Sequence, residues 1–385
     1  MARGVGERRE FVALMAREGA NRRELCRRFG VHPSTGYKWL ARWLSEQELA
    51  DRSRRPHASP ERTGSETEQR IVAVRDAHPA WGARKIRRCL ERDGVAAPAA
   101  STVHAVLRRH DCIAPAAAGA VAERRFEMAA PNLLWQMDFK GWIALQAGGR
   151  CHPLTVVDDH SRYSVCLEAC GDEQGRTVQA RLTRVFRRYG LPEALFVDNG
   201  APWGDSSGAR WTRLGVWLLK LGVGVIHSRP YHPQSRGKNE RFHRTLKAEV
   251  FALRRFRDLA EVQAAFDSWR TAYNVDRPHE ALGFAVPTSR YQPSARAFPE
   301  RLAQVDYDAD ETVRRVPSSN DYISFKGRRW KVPQPFRGER VAIRPLDADG
   351  RYGVFFAAHR IATIDLTSRE SVGDVSEQVS TMSPG

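Results

Sequence analysis

Three carboxylates in this chain sit where an acid calls for a reason. Asp138 lies in the run Trp135-Gln136-Met137-Asp138-Phe139-Lys140, where the two-residue period of a strand puts Trp135, Met137 and Phe139 on one face and Asp138 on the other. Asp198 closes the apolar run Ala194-Leu195-Phe196-Val197 and opens Asn199-Gly200; alone, Asp-Asn-Gly after a strand reads as a turn. Glu240 opens a helix that begins at Arg236 or Gly237. Helical spacing gives that segment an apolar stripe of Phe242, Leu246, Val250 and Leu253, with Glu240, Arg244 and Lys247 on an arc away from it. Alone, the arc is a common surface ion-pair pattern. Together, two strand acids and one helix acid form an oxygen-only donor set for two Mg2+ (or Mn2+) ions, hard cations that take carboxylate oxygens and leave positions for water and phosphate. Two such ions about 3.5–4 Å apart activate an attacking hydroxyl and stabilise the leaving oxygen of an in-line phosphoryl displacement, without a side-chain nucleophile.

Rival groupings are weaker. Asp158 competes with Asp138 as a first ligand, but Asp158-Asp159 followed by His160-Ser161 between two strand patterns reads as a hairpin turn. Cys166-x-x-x-Cys170 with His152 and His160 raises a zinc site, against which stands the lack of the usual two-residue cysteine spacing. Gly222-x-Gly224 lacks the third glycine of a nucleotide fingerprint, and no GxxxxGK[ST] loop occurs, so no nucleotide cofactor is expected.

The surrounding elements must position those acids. Leu133 to Ile143, Pro153 to Asp158, Tyr163 to Ala169, Ala194 to Val197 and Val223 to Ser228 read as strands; Arg176 to Tyr189 and Ala209 to Leu221 read as helices, the first from Val178, Leu182, Val185 and Phe186. Strands and helices in this alternation make an α/β layered core. After about Asp308, short alternating runs cut by Ser-Ser-Asn, Lys-Gly and Asp-Ala-Asp-Gly turns predict a small β-barrel over 308–366, and a Ser-rich, aperiodic tail over 367–385 predicts disorder.

Two helical segments precede the core, 1–50 and 65–112, separated by linkers at 51–64 and 113–125 that are poor in large apolar residues. In the first, Phe11, Val12, Leu14 and Met15, then Leu25 and Phe29, form helix stripes. Gly30-Val31 makes a turn, and His32 caps a third helix that starts at Pro33. This is a helix-turn-helix layout, whose second helix enters the major groove; Ser34, Thr35, Lys38 and Arg42 would face DNA, against the alternative of a three-helix bundle with a solvated basic face. Gly36 stands where an apolar residue is expected. The second segment repeats the layout with Ile71, Val74, Trp81, Ile86 and Leu90, then Val103, Val106 and Leu107. Its cluster Arg84, Lys85, Arg87 and Arg88 is either a DNA-facing or a solvated helix face. Near Glu240, Lys238, Asn239, Arg241, Arg244 and Lys247 could hold DNA phosphates.

Composition agrees. A net charge of +17 over 385 residues favours a polyanionic partner, and a 42% hydrophobic share allows sizeable cores. With no apolar run of membrane-spanning length, no secretory pattern after the first residues, and six scattered cysteines, the expectation is a cytoplasmic, nucleoid-associated protein with reduced thiols and no membrane partner.

Taken together, Trp135 to Gly141, Val156-Val157-Asp158, Ser161-Arg162, Phe196 to Gly200 and the long match Pro230 to Arg241, followed by Tyr273-Asn274, Arg277-Pro278-His279 and Leu282, resemble the integrase-core transposases of bacterial insertion sequences, relatives of retroviral integrases. The resemblance runs from about Ser65 to about Pro293 and implies a ribonuclease-H-like core over 126–298 with an Asp-Asp-Glu triad holding two magnesium or manganese ions. Carried over, Asp138, Asp198 and Glu240 are that triad, Asp138 bridging both ions. The implied reaction is strand cleavage by water at the element's ends, then attack of the freed 3′-hydroxyl on target DNA. The implied partners are double-stranded DNA and further copies of the chain on paired ends. One departure is the interval of 42 positions from Asp198 to Glu240, longer than the family usually shows, with Gly204 to Gly208 reading as an inserted loop. The alternative is a DNA-binding regulator or domesticated remnant on an inactive core; a general nuclease on the same core is a third reading.

Overall fold

The computed structural model describes residues 4–51, 63–113, 127–204, 211–227 and 237–367. The linkers, the expected inserted loop beyond Gly204, most of the Pro230-to-Arg241 motif and the tail therefore lie outside the described residues. The chain divides into two compact units, Met1–Thr63 and Gly64–Gly385. Among the described residues no helix is long and apolar enough to cross a membrane, and all six cysteines carry free thiols.

The first unit holds α1 (Val5–Met15), α2 (Arg22–Arg28) and α3 (Pro33–Leu44). Phe11, Val12, Met15, Cys26, Val31, Leu40 and Leu49 form its core. His32 caps α3 and Pro33 is its first residue, as the sequence predicts. Gly36, the unexpected residue, is explained by packing: a Cβ there would stand 2.9 Å from Cys26 Sγ and 3.1 Å from Phe11 Cζ, so α3 approaches its neighbours too closely for a side chain. Arg8 is buried and closes the unit with paired bonds of 2.8 and 3.0 Å to Asp51 and a 3.0 Å bond to the Leu49 carbonyl.

The second unit opens with α4 (Ser65–Ala77), α5 (Ala83–Arg92) and α6 (Ala100–Arg109). Ile71, Trp81, Ile86, Leu90, Val103, Val106 and Leu107 bury together. These helices belong with the α/β core: the Arg92 guanidinium donates to the Asp276 carbonyl at 3.1 Å.

The core strands are β1 (Leu134–Phe139), β2 (Ile143–Ala144), β3 (Arg150–Asp158), β4 (Ser164–Cys170), β5 (Ala194–Val197) and β6 (Gly224–His227), with α7 (Gly175–Tyr189), α8 (Arg213–Lys220), α9 (Gly237–Leu246) and α10 (Leu259–Val275). The single strand expected over Leu133 to Ile143 is broken at Gly141, whose φ of +73° turns the chain. The sheet runs β2-β3-β1-β5-β6, with β4 on the other edge of β3. β1, β3 and β4 are antiparallel, whereas β1–β5 and β5–β6 are parallel. This is the mixed sheet of a ribonuclease-H-like core. One face carries Trp135, Met137, Leu195 and Val197 against α7 and α8. The other carries Val157, Leu167 and Ala169 against α9 and α10, through Phe242, Leu246, Val262 and Phe266.

The C-terminal part contains β7 (Thr312–Arg315), β8 (Tyr322–Phe325), β9 (Arg328–Lys331), β10 (Arg340–Pro345), β11 (Arg351–Phe356) and β12 (His359–Asp365). Where the sequence predicts a barrel, the strands pair as a four-stranded sheet, β12-β11-β10-β7, and a separate hairpin, β8-β9. Both cover one core that includes Val316, Trp330, Phe336, Val341 and Phe356 and reaches Val216 of α8.

Gly190 terminates α7 with φ +75°, and a Cβ there would lie 2.5 Å from the Ser294 carbonyl and 2.8 Å from that of Arg296. Gly94 has the same φ but open space around it. Gly190→Ala should therefore cost well over ~2 kcal/mol, with backbone clash added to the ~1 kcal/mol conformational penalty that Gly94→Ala incurs alone. Urea unfolding of both variants checks the difference.

Candidate active site

β1 and β5 pair in parallel with Leu134 opposite Ala194, Trp135 opposite Leu195 and Gln136 opposite Phe196. The paired register ends at Gln136 and Phe196, and Asp138 and Asp198 each follow two residues beyond it, at the same end of the sheet. Because Trp135, Met137, Leu195 and Val197 fill the α7 side, alternation turns both acids toward the α9 side. Both are half-buried. Asp198 closes its own turn by accepting the Gly200 amide at 3.0 Å, and its backbone carbonyl accepts from the His227 ring at 3.0 Å.

Glu240 sits in the first turn of α9, exposed to solvent. Phe242, Leu246 and Val250 are buried and hold the helix on the sheet. Leu253, expected on the same stripe, is instead 56% exposed. The helix passes into a π-helical turn over Lys247–Phe251 and ends at Ala252, so Leu253 lies in the turn that follows and falls outside the helical stripe.

One turn beyond Glu240, His243 reaches the sheet. Its Nε2 lies 2.8 Å from Thr155 Oγ1, which donates to the Asp138 carbonyl at 2.9 Å. A carbonyl only accepts, so the single hydroxyl proton of Thr155 points at Asp138 and His243 must donate from Nε2. Thr155 is also the antiparallel partner of Asp138. Burial, aided by the charge of Lys140, pushes the His243 pKa down to about 4, which keeps the ring neutral.

Asp158 and Asp159 are fully buried at the end of β3 and the start of the turn to β4. Asp158 accepts the Asn132 and Ser161 amides and the Ser161 hydroxyl at 2.8, 2.7 and 2.6 Å. Asp159 accepts from Gln136 and the Met128 amide, each at 2.8 Å, and pairs with Lys238 Nζ at 2.5 Å. Lys238 thus points inward, and Asn239 is buried beside it. Arg241, Arg244 and Lys247 stay exposed. On α5, Arg84 remains at the surface 3.6 Å from Glu280, while Lys85 is half-buried, its pKa pushed down to about 8 by burial and by the charge of Arg277. On α3, Ser34 and Lys38 are exposed and Thr35 and Arg42 are partly so; Ser34 Oγ lies 2.8 Å from His32 Nδ1.

Thr155, His243 and Asp159 went unmarked as partners in the sequence, where nothing ties residues so far apart. The Tyr273-to-Leu282 motif also acquires physical roles. Asn274 bonds both the amide and the carbonyl of Ser164, at 2.8 and 3.1 Å, stitching α10 to β4. Arg277 pairs with Glu249 at 3.1 Å in a nearly buried contact, and Trp269 donates to the same carboxylate at 2.8 Å. Among the described residues no three His, Cys, Asp or Glu side chains form a group that could hold an ion together.

Comparison with known proteins places this architecture. Models described as integrase core domain match residues 128–233 and 221–287. An IS481 family transposase C-terminal domain matches 311–372, a helix-turn-helix domain 7–57 and a homeodomain-like domain 35–107. An uncharacterized insertion element IS407 protein of Burkholderia multivorans is 28% identical over 60% of this chain and 82% of its own length. An uncharacterized insertion element IS476 protein of Xanthomonas euvesicatoria is 30% identical over 46% of this chain, which spans about half (49%) of that protein. A simian T-cell lymphotropic virus intasome, solved in complex with PP2A regulatory subunit B56 gamma, aligns over 75% of this chain and 96% of its own at 16% identity and a TM-score of 0.35. The chain thus combines integrase core, helix-turn-helix and insertion-sequence transposase C-terminal domains, and is similar to proteins of bacterial insertion elements.

The neutral His243 gives a pH signature. Its folded pKa of about 4 lies below the ordinary 6.5, so between those values the unfolded chain binds more protons and stability falls as pH drops. Full expression of the difference amounts to about 3 kcal/mol. Between pH 7 and pH 4.5 the wild type should lose ~2 kcal/mol more than His243→Gln, measured by urea midpoints at the two pH values.

Proposed function

We propose that this protein is a transposase that binds the terminal inverted repeats of its element and cuts and joins DNA strands through Asp138, Asp198 and Glu240. The observation that supports this reading is the parallel β1–β5 pairing, beyond whose end the half-buried Asp138 and Asp198 both lie, with Glu240 on α9, the helix packed on the same sheet. The donor chemistry fits Mg2+ or Mn2+: hard carboxylate oxygens with solvent access, and no thiolate or imidazole among the three. Asp138, Asp198 and Glu240 are the residues that would hold the ions. When bound, the ions would supply activation of the attacking oxygen and charge stabilisation of the leaving one.

The chain's own residues do the rest. Asp138 and Asp198 offer carboxylates from rigid strand ends, and Glu240 offers one from the solvent side, where a DNA strand can enter. Arg241, Arg244 and Lys247, exposed on the same helix and its π-helical extension, are placed to hold phosphates. Ser34, Thr35, Lys38 and Arg42 on α3 are the residues we assign to the major groove, and Arg84 on α5 to a second phosphate contact. In the first step water attacks the phosphodiester at an element end, leaving a 3′-hydroxyl. In the second that hydroxyl attacks a target phosphodiester, one P–O bond forming as one breaks, so no nucleotide is consumed. Copies of the chain would assemble on paired ends.

Full-length protein with oligonucleotides carrying the repeats that flank its gene should nick and join them in Mg2+ or Mn2+. Asp138→Asn, Asp198→Asn and Glu240→Gln should each lower cleavage by at least ~10³-fold while leaving end binding in a gel-shift assay unchanged. Wild-type binding of the ends without cleavage in either metal would favour a DNA-binding regulator, and cleavage of unrelated duplex at equal rate would favour a general nuclease.

A further inference from the structure

The outward-facing Glu240 is the triad member whose position relative to the sheet is least constrained by its own strand or loop. Its helix is tied to β1 at two points that the sequence does not announce. Lys238, two residues before Glu240, pairs with Asp159, which also accepts from Gln136 of β1 at 2.8 Å. His243, one turn after Glu240 and on a neighbouring helix face, donates to Thr155 Oγ1, which donates to the carbonyl of Asp138 itself. The second tie runs from the helix that carries one acid to the backbone of the residue that carries another.

We propose that His243 and Thr155 are positioning residues that set the distance between Glu240 and Asp138, and so the affinity of the site for its ions; this rests on the assignment of the three acids above. The bridge acts by geometry. It has one arrangement of protons: imidazole Nε2–H to hydroxyl oxygen, hydroxyl proton to carbonyl. A side chain that keeps a donor at the His243 position, or a hydroxyl at Thr155, keeps the bridge. An isosteric group without one leaves α9 held by Phe242, Leu246 and the Lys238–Asp159 pair, so the fold survives while the Glu240-to-Asp138 spacing loosens.

The test is Mn2+ titration of the full-length protein by calorimetry, beside Mn2+-dependent nicking and thermal unfolding. Thr155→Val and His243→Leu should weaken Mn2+ binding by roughly ten- to a hundredfold, the range for groups that orient metal ligands, while unfolding stays cooperative with a midpoint well above the titration temperature. Thr155→Ser and His243→Gln should restore wild-type affinity, which a merely structural role would not require. Wild-type Mn2+ affinity in folded Thr155→Val and His243→Leu overturns the positioning role while leaving the triad standing. Should Thr155→Val fail to fold, His243→Leu against His243→Gln decides alone. If wild type and Asp138→Asn bind Mn2+ identically, the triad assignment falls and the positioning role with it.

Discussion

The structure depends on one pairing: β1 beside β5, parallel, with a register that puts residue for residue of the two strands on common faces. A shift of one residue would turn Asp198 toward the α7 side, where Trp135, Leu182 and Phe186 exclude water, and move Leu195 and Val197 out of that core. The register is therefore held from the apolar side. The same side chains that make the core fix which way the acids point, and the fold and the site become one constraint seen from two faces of a sheet.

The other face has a division of labour. Asp158 and Asp159 spend their hydrogen-bonding capacity on the β3–β4 turn and on Lys238, with no exposed surface. Asp138 and Asp198 keep access to solvent. The acids of the sheet thus differ in environment: Asp158 and Asp159 have no exposed surface, whereas Asp138 and Asp198 are half-buried. Basic residues divide in the same way. Lys85 and Lys238, both expected at a DNA surface, are half-buried beside charged neighbours, and Asn239 is buried next to Lys238 in the chain, whereas Arg241, Arg244 and Lys247 are exposed.

Much of this was legible in the residues. Val178, Leu182, Val185 and Phe186 mark α7 by spacing, and Trp135 and Met137 mark the apolar face of β1, though Gln136 on the opposite face is buried as well. The three acids could be named as a set because each stands beside an apolar pattern that leaves it no place in a core. What stayed hidden is what depends on tertiary neighbours. Thr155 and His243 are 88 positions apart, and neither carries a local pattern that announces the other. The exposure of Leu253 follows from the helix ending at Ala252, a boundary that the apolar spacing does not mark. Gly36 looked like a lapse in an apolar stripe and is instead the space that Cys26 and Phe11 occupy. Polar residues such as Lys238 read as surface because composition records charge and not the partner that buries it.

The most direct measurement is anomalous diffraction from crystals of the full-length protein soaked in Mn2+. The account predicts two peaks about 3.5–4 Å apart, with Asp138 contacting both, Asp198 one and Glu240 the other. Peaks that omit any of these three carboxylates, or Mn2+ bound only elsewhere on the chain, would contradict it.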